Sequence, residues 1–407
     1  MACVCMYICM CECQHIQNKK KKKMEHLYWL QVISVLFIHA ITLGTILASG
    51  IFVPSLAELS GRPEREITFI FGIQYCLFLS MAIFMRKSLW YVSLLTWCIG
   101  YVISIHVVDR YDVFFAVICT FSGLSAGLLY WMSNESYLSL TPPSSSSSVL
   151  ATGLVSLGSV GFLLIYPAWV TKPINWSKEI TSLTINGSVI VGLAIMTINY
   201  TNDLLRKENN KGSTTKQQQQ QKEPPQRYLV FGCYLIGMFA SQAAYFIPFS
   251  TLTYQLDSLN IQPMSLISSV LGGGSCIGRV TTTVIVTQHV WLKPYLQAAY
   301  SVITLCSIII WIFAKNTDEF VGFGIMYGFA TGGQSSLTFQ VLRELCGGKP
   351  QQLKSHLIAL SISLTLGSLF SALINRYAFS TIYQSIIYTF GMCALSSVAF
   401  IIEALLW

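Results

Sequence analysis

Arg279 is a cation placed where nothing nearby in the sequence neutralises it. It closes the stretch Gly272-Gly273-Gly274-Ser275-Cys276-Ile277-Gly278-Arg279, inside an apolar run from Met264 to Val286 that holds no Lys, Asp or Glu. A guanidinium stays protonated in any protein environment. At the centre of a bilayer it costs about 2.5–3.5 kcal/mol, so it is kept where it faces a wet cavity or a partner. The stretch therefore reads as an anion-binding arginine in a transport pathway. The competing reading is a structural arginine that caps helix carbonyls or snorkels to a membrane face. The glycines before it let a neighbouring helix approach closely. Few other polar groups lie inside apolar runs. His39, in Phe37-Ile38-His39-Ala40, suits either proton exchange or a bond to a neighbouring helix. Gln242 and Gln334 offer amides to a solute or to another helix. Glu403, one turn from Trp407, is expected at the membrane interface. There is no nucleophile–base pair, metal-ligand cluster or phosphate-binding loop, so neither an enzyme, a metal site nor a cofactor is expected.

The elements that must position these groups follow from composition. Hydrophobic residues make up 53% of the 407, charged residues 10%, and mean hydropathy is +0.58. Soluble domains carry about 25% charge. An all-α integral membrane protein is implied, with the lipid bilayer as its surroundings and no nucleic-acid module. Windows of about twenty residues give twelve spans. Six lie at 29–54, 67–85, 89–108, 113–133, 148–170 and 180–200. Six more lie at 228–254, 264–286, 294–314, 319–342, 356–375 and 382–406. Between the halves, 201–227 contains a five-glutamine run and Pro224-Pro225, which reads as a disordered linker. The organisation is thus a tail over 1–28, a six-helix lobe over 29–200, the linker, and a second six-helix lobe over 228–407. The tail carries Cys3, Cys5, Cys9, Cys11 and Cys13 and then Lys19–Lys23, and Met24 would make a sensible start.

The formal net charge of +8 reports on topology. With the N-terminus in the cytosol, seventeen of the twenty-five Lys and Arg fall on the cytosolic side and seven on the other. Arg279 is the one left inside. Both termini and the linker are expected in the cytosol. Of the glycosylation sequons, only Asn175-Trp176-Ser177 falls on the far side. The sequence does not name the membrane, whether plasma or internal.

Four stretches, in order, carry a family resemblance. Gly123-Leu124-Ser125-Ala126-Gly127 is followed by Ala151-Thr152-Gly153 through Gly158 to Gly161. Then come Ala244-Tyr245-Phe246-Ile247-Pro248-Phe249, the Gly274–Arg279 segment, and Tyr327-Gly328-Phe329-Ala330-Thr331-Gly332-Gly333. Together with twelve spans about a central linker, they resemble the major facilitator superfamily, and within it the monocarboxylate-transporter-like branch. The resemblance spreads over roughly residues 29 to 406. It implies twelve transmembrane helices in two lobes, alternating access about a midplane site, and transport of a small monocarboxylate-like solute, with symport of a proton among its options. Implied substrate contacts are Arg279, Tyr245, Phe246, Gln242, Gln334 and His39. Gly123, Gly127, Gly153, Gly158, Gly278, Gly328, Gly332 and the intrahelical Pro248 would serve packing or gating.

The departures are specific. Proton-coupled lactate carriers have an Asp one turn before this arginine, where Ser275 stands. They have a Lys in span one, where Leu47 stands. The acidic-glycine-tryptophan signature is reduced to Tyr28-Trp29, and the Asp-Arg-Gly loop has become Arg86-Lys87-Ser88. Thr287-Gln288-His289 likewise lacks its acid. Two other readings stay open: a non-transporting receptor or scaffold, and a facilitator of neutral solutes with a structural Arg279.

Overall fold

The computed structural model describes residues 2–139, 146–169, 176–210, 225–259, 264–346, 350–377 and 381–407. The first lobe holds α1 (Ala2–Ala48), α2 (Val53–Ser60), α3 (Glu64–Ser80), α4 (Trp90–His106), α5 (Tyr111–Val117), α6 (Ser125–Leu138), α7 (Ser146–Trp169) and α8 (Trp176–Asn210). The second holds α9 (Pro225–Ser258), α10 (Met264–Gln288), α11 (Lys293–Phe313), α12 (Thr317–Leu345), α13 (Pro350–Tyr377) and α14 (Ile382–Leu406). α8 and α9 cover both ends of the expected linker, and 211–224 lie outside the described residues. The side chains of residues 2–24 do so as well.

Local sequence explains the breaks. α1 tightens into a 3₁₀ turn over Ser49–Phe52 ahead of Pro54, whose ring fits only the first turn of the next helix. The fourth span is α5 and α6 joined through a π-helical stretch, Ile118–Leu124. α12 opens on a capping box: the Glu319 amide donates to Asn316 Oδ1 at 3.0 Å while the Glu319 carboxylate takes the Asn316 amide. Thr381 and Gln384 repeat the device at α14.

Ten helical segments among the described residues are long and apolar enough to cross a membrane. α7 and α12 complete a twelve-span bundle. α12 falls short on hydropathy because Gly, Ser, Thr and Gln line its inner face. The protein is an integral, multi-pass membrane protein.

Each lobe is closed by glycines at matching places. A Cβ on Gly127 of α6 would lie 2.2 Å from the Phe78 carbonyl oxygen, and one on Gly123 would lie 3.0 Å from that of Gln74. Six spans later, Cβ atoms on Gly328 and Gly332 of α12 would each lie 2.2 Å from an α10 carbonyl oxygen, of Leu271 and Ser275. Gly278 answers from α10, 2.0 Å from the Phe329 carbonyl oxygen. Backbones this close leave no room for any side chain. The lobes meet along two seams, α7 against α10 and α3 against α13. Counted as spans these are five on eight and two on eleven, pairs that a two-fold axis between the lobes interchanges.

Candidate functional site

A cavity of about 90 Å³ lies between the lobes. That is room for several water molecules and suits a small solute better than a lipid. Its walls come from helical stripes. α9 contributes Met238, Ser241, Gln242 and Tyr245, and α12 contributes Thr331, Gln334, Ser335 and Thr338. Both runs follow the three- and four-residue spacing of one helix face. α7 adds Thr152, Ser156 and Ser159, α1 adds His39, Leu43 and Leu47, and α10 adds Arg279.

Five of the six expected contacts therefore converge: Arg279, Tyr245, Gln242, Gln334 and His39 all line this one space. The side chain of Phe246 lies outside the described residues. Leu47 also lines it, as an apolar wall.

Arg279 is 4% exposed. Its Nη1 donates to the Ser156 carbonyl of the opposite lobe, and its Nε reaches Ser275 Oγ at 3.5 Å. Among the described residues no carboxylate is within 4 Å of it. Two other buried cations are matched differently. Lys293 is paired with Glu344, and Arg343 faces the phenols of Tyr28 and Tyr137. Arg279 is the buried cation that faces the cavity.

Beside it stand two amide donors and an imidazole. Nε2 of Gln242, of Gln334 and of His39 are buried without a hydrogen-bond partner. The Tyr75 ring also lines the cleft, and the His39 ring lies 4.3 Å from that of Tyr130. Aromatic rings of Phe78, Tyr130, Tyr137 and Phe339 close the cavity. A polar group stranded without a partner costs about 1–3 kcal/mol, so such donors mark a place for an acceptor-rich ligand.

The packing and gating candidates separate by location. Gly153 lies on the seam itself, where a Cβ would meet Thr283 Oγ1 at 2.0 Å. Gly158 faces α1 at the Leu36 carbonyl. Gly123, Gly127, Gly278, Gly328 and Gly332 hold helices together inside a lobe. Pro248 is buried in α9, which continues through it, and nearby Tyr327 donates its hydroxyl to the Tyr245 carbonyl at 3.1 Å.

Sequence reasoning passed over the cavity's aromatic lining and the α7 serines. Thr152, Ser156 and Ser159 stand at helical spacing in an otherwise apolar run, a signal that was there to read. Glu403, one turn from Trp407, is fully buried within the protein.

No family model and no curated protein sequence matches the chain. Among solved structures it is similar to the human organic anion transporter MFSD10 (TETRAN) at 12% identity. The likeness has a TM-score of 0.60 and covers 93% of this chain and 99% of that one. With its twelve spans, two lobes and paired seams, the chain has the major facilitator fold.

Proposed function

We propose that the chain is a secondary transporter that moves a small organic anion, a monocarboxylate-like solute, by alternating access, with Arg279 binding the carboxylate. The observation that carries this is the set of donors without acceptors. Among the described residues, a buried guanidinium with no carboxylate partner shares an interlobe cavity with the unpartnered amide donors of Gln242 and Gln334 and with the His39 ring. A carboxylate supplies two oxygens to a guanidinium in one plane and leaves lone pairs for amides. The likeness to an organic anion transporter supports the reading, as does the resemblance of four stretches to the monocarboxylate-like branch.

The Ser156 carbonyl accepts from the N–H that we assign to the solute carboxylate. It gives the guanidinium a partial negative charge and ties α10 to α7. An arriving carboxylate competes for the same N–H groups and releases the tie. Only such a difference in contacts between states lets a solute shift the lobes. Tyr245, Gln242, Gln334 and His39 orient the remainder of the molecule. The charge distribution supports cytosolic termini, with 29–200 and 228–407 as the rocking units about the 201–227 linker.

A second reading has its own observation: the same Ser156 bond is what a purely structural arginine would make. Uptake of labelled small monocarboxylates into proteoliposomes separates the two, with Arg279→Ala and Arg279→Lys beside wild type at equal reconstitution. The alanine variant should lose roughly 10- to 100-fold, matching about 1.5–3 kcal/mol for a charged hydrogen bond. The lysine variant should recover part of it, keeping the charge but not the bidentate geometry. Wild-type uptake by Arg279→Ala would overturn the proposal.

A further inference from the structure

Glu403 is the only buried carboxylate among the described residues. The reason is helical register. Cys393, Ser396, Ser397, Phe400, Glu403 and Ala404 form the inward stripe of α14. That stripe is fixed against antiparallel α9 at two points. Ser396 Oγ donates to the Gly237 carbonyl at 3.1 Å, and the Phe400 ring fills the space a Cβ on Gly237 would take. One turn further along α14, and one turn back along α9, Glu403 meets Cys233 and Tyr234, close enough for its charge to act on both.

Both carboxylate oxygens lack a hydrogen-bond partner. No cation among the described residues is within 4 Å. The neighbouring helix ends do not answer it: Lys293 of α11 is committed to Glu344 of α12, Arg343 faces Tyr28 and Tyr137, and Cys346 is an acid-side group. Two bare acceptor oxygens in an apolar wall require something positive. Neither oxygen has measurable contact with a water-sized sphere, so there is room for a proton and not for a hydrated metal ion.

The position is tied to the cavity. Tyr234 donates its hydroxyl to the Thr338 carbonyl at 2.8 Å, and Thr338 lines the cavity. Met238, which also lines it, is one turn beyond Tyr234, about 6 Å along α9. The cavity itself has no carboxylate among its lining residues.

We propose that Glu403 is a proton-binding site of the second lobe, linked to the solute site through Tyr234, and that its loading and unloading accompany lobe movement. The step makes and breaks a single O–H bond. A carboxylate oxygen takes a proton from water when lobe movement brings water to it and returns the proton to water on the opposite excursion. The coupling to transport rests on the anion-carrier reading above, while the proton site stands without it.

Two measurements keep these separable. Infrared titration of the purified full chain in lipid should show a buried carboxylic C=O band that disappears as pH rises. The band should be absent in Glu403→Gln and shifted in Glu403→Asp. An identical band in all three proteins, or none in wild type at any pH, overturns the proton site. In proteoliposomes, an inward proton gradient should raise wild-type uptake of labelled small monocarboxylates several-fold, and that ratio should fall to one in Glu403→Gln. A ratio unchanged by the substitution overturns the coupling. Absence of uptake from wild type for every monocarboxylate tested overturns the carrier reading and leaves the infrared result to decide Glu403.

Discussion

The two seams between the lobes occupy equivalent positions and are built differently. Where α7 meets α10, the contact is close, buried and centred on a charge. Gly153 makes room for Thr283, Thr283 Oγ1 bonds the Arg279 carbonyl at 2.7 Å, and Arg279 reaches back to Ser156. Where α3 meets α13, the polar contacts are spread along the helices. Arg65 holds the C-terminal end of α13, Ser361 donates to the Leu79 carbonyl midway, and Lys354 reaches the Met85 carbonyl at 3.3 Å at the other end. The first seam passes the cavity with its charge in the middle. The second carries its charges at the rims, where water screens them. A symmetric fold has thus placed its buried charge in one seam and its exposed charges in the other.

The sharpest way to break that contrast is to overfill the first seam. Gly153→Val would push a branched side chain into Thr283, with Oγ1, Cγ2 and Cβ all within 2.9 Å of the first added carbon. Overpacking of this kind costs about 1–3 kcal/mol. Because the clash is between lobes, the penalty falls on the arrangement in which α7 and α10 touch. Monocarboxylate uptake should drop by roughly 5- to 150-fold on the same energy scale. Gly161→Val is the control, since nothing lies within 4 Å of a Cβ there. Equal uptake by the two variants would mean the seam opens too freely for the contact to matter.

The second seam should respond less. Ser361→Ala removes one buried hydroxyl that donates to Leu79. Interhelical hydrogen bonds in membranes average about 0.6 kcal/mol. A small fall in the thermal midpoint of the detergent-solubilised protein, with uptake within a factor of about three, is the expected outcome. A loss as large as that of Gly153→Val would erase the distinction between the seams.

The sequence revealed more of the fold than of the seams. Twelve windows of hydropathy and a glutamine run were enough for two lobes, because lipid forces every span to be a helix. The site was legible at Arg279, His39, Gln242 and Gln334, because each is a polar group inside an apolar run. Tyr75 and Tyr130 were not, since a tyrosine in a span fits lipid, core or cavity equally well. The burial of Glu403 follows from its register with Phe400 and Ser396, which its position near Trp407 obscured. The partner of Arg279 could not be read at all. It is a main-chain carbonyl 123 residues away, which no side-chain pattern marks.

The smallest effect belongs to the rim. Arg65 donates from Nε to the Asn375 carbonyl at 3.1 Å and from Nη2 to the carbonyls of Asn375, at 2.7 Å, and Arg376. It thereby caps the last turn of α13, the negative end of that helix. Arg376 in turn lies 4.2 Å over the Phe69 ring of α3. Arg65 is exposed, so the interaction should contribute about 0.3–1 kcal/mol at low ionic strength. Arg65→Ala should lower the thermal midpoint slightly in dilute buffer, and the difference should vanish near 1 M salt, where the screening length falls to about 3 Å. Arg279→Ala should show no such salt dependence, because its charge is 4% exposed and screened by nothing mobile. If both differences faded together with salt, the charge beside the cavity would be as wet as the one at the rim. Anion binding would then have to draw on the amides instead of on the guanidinium.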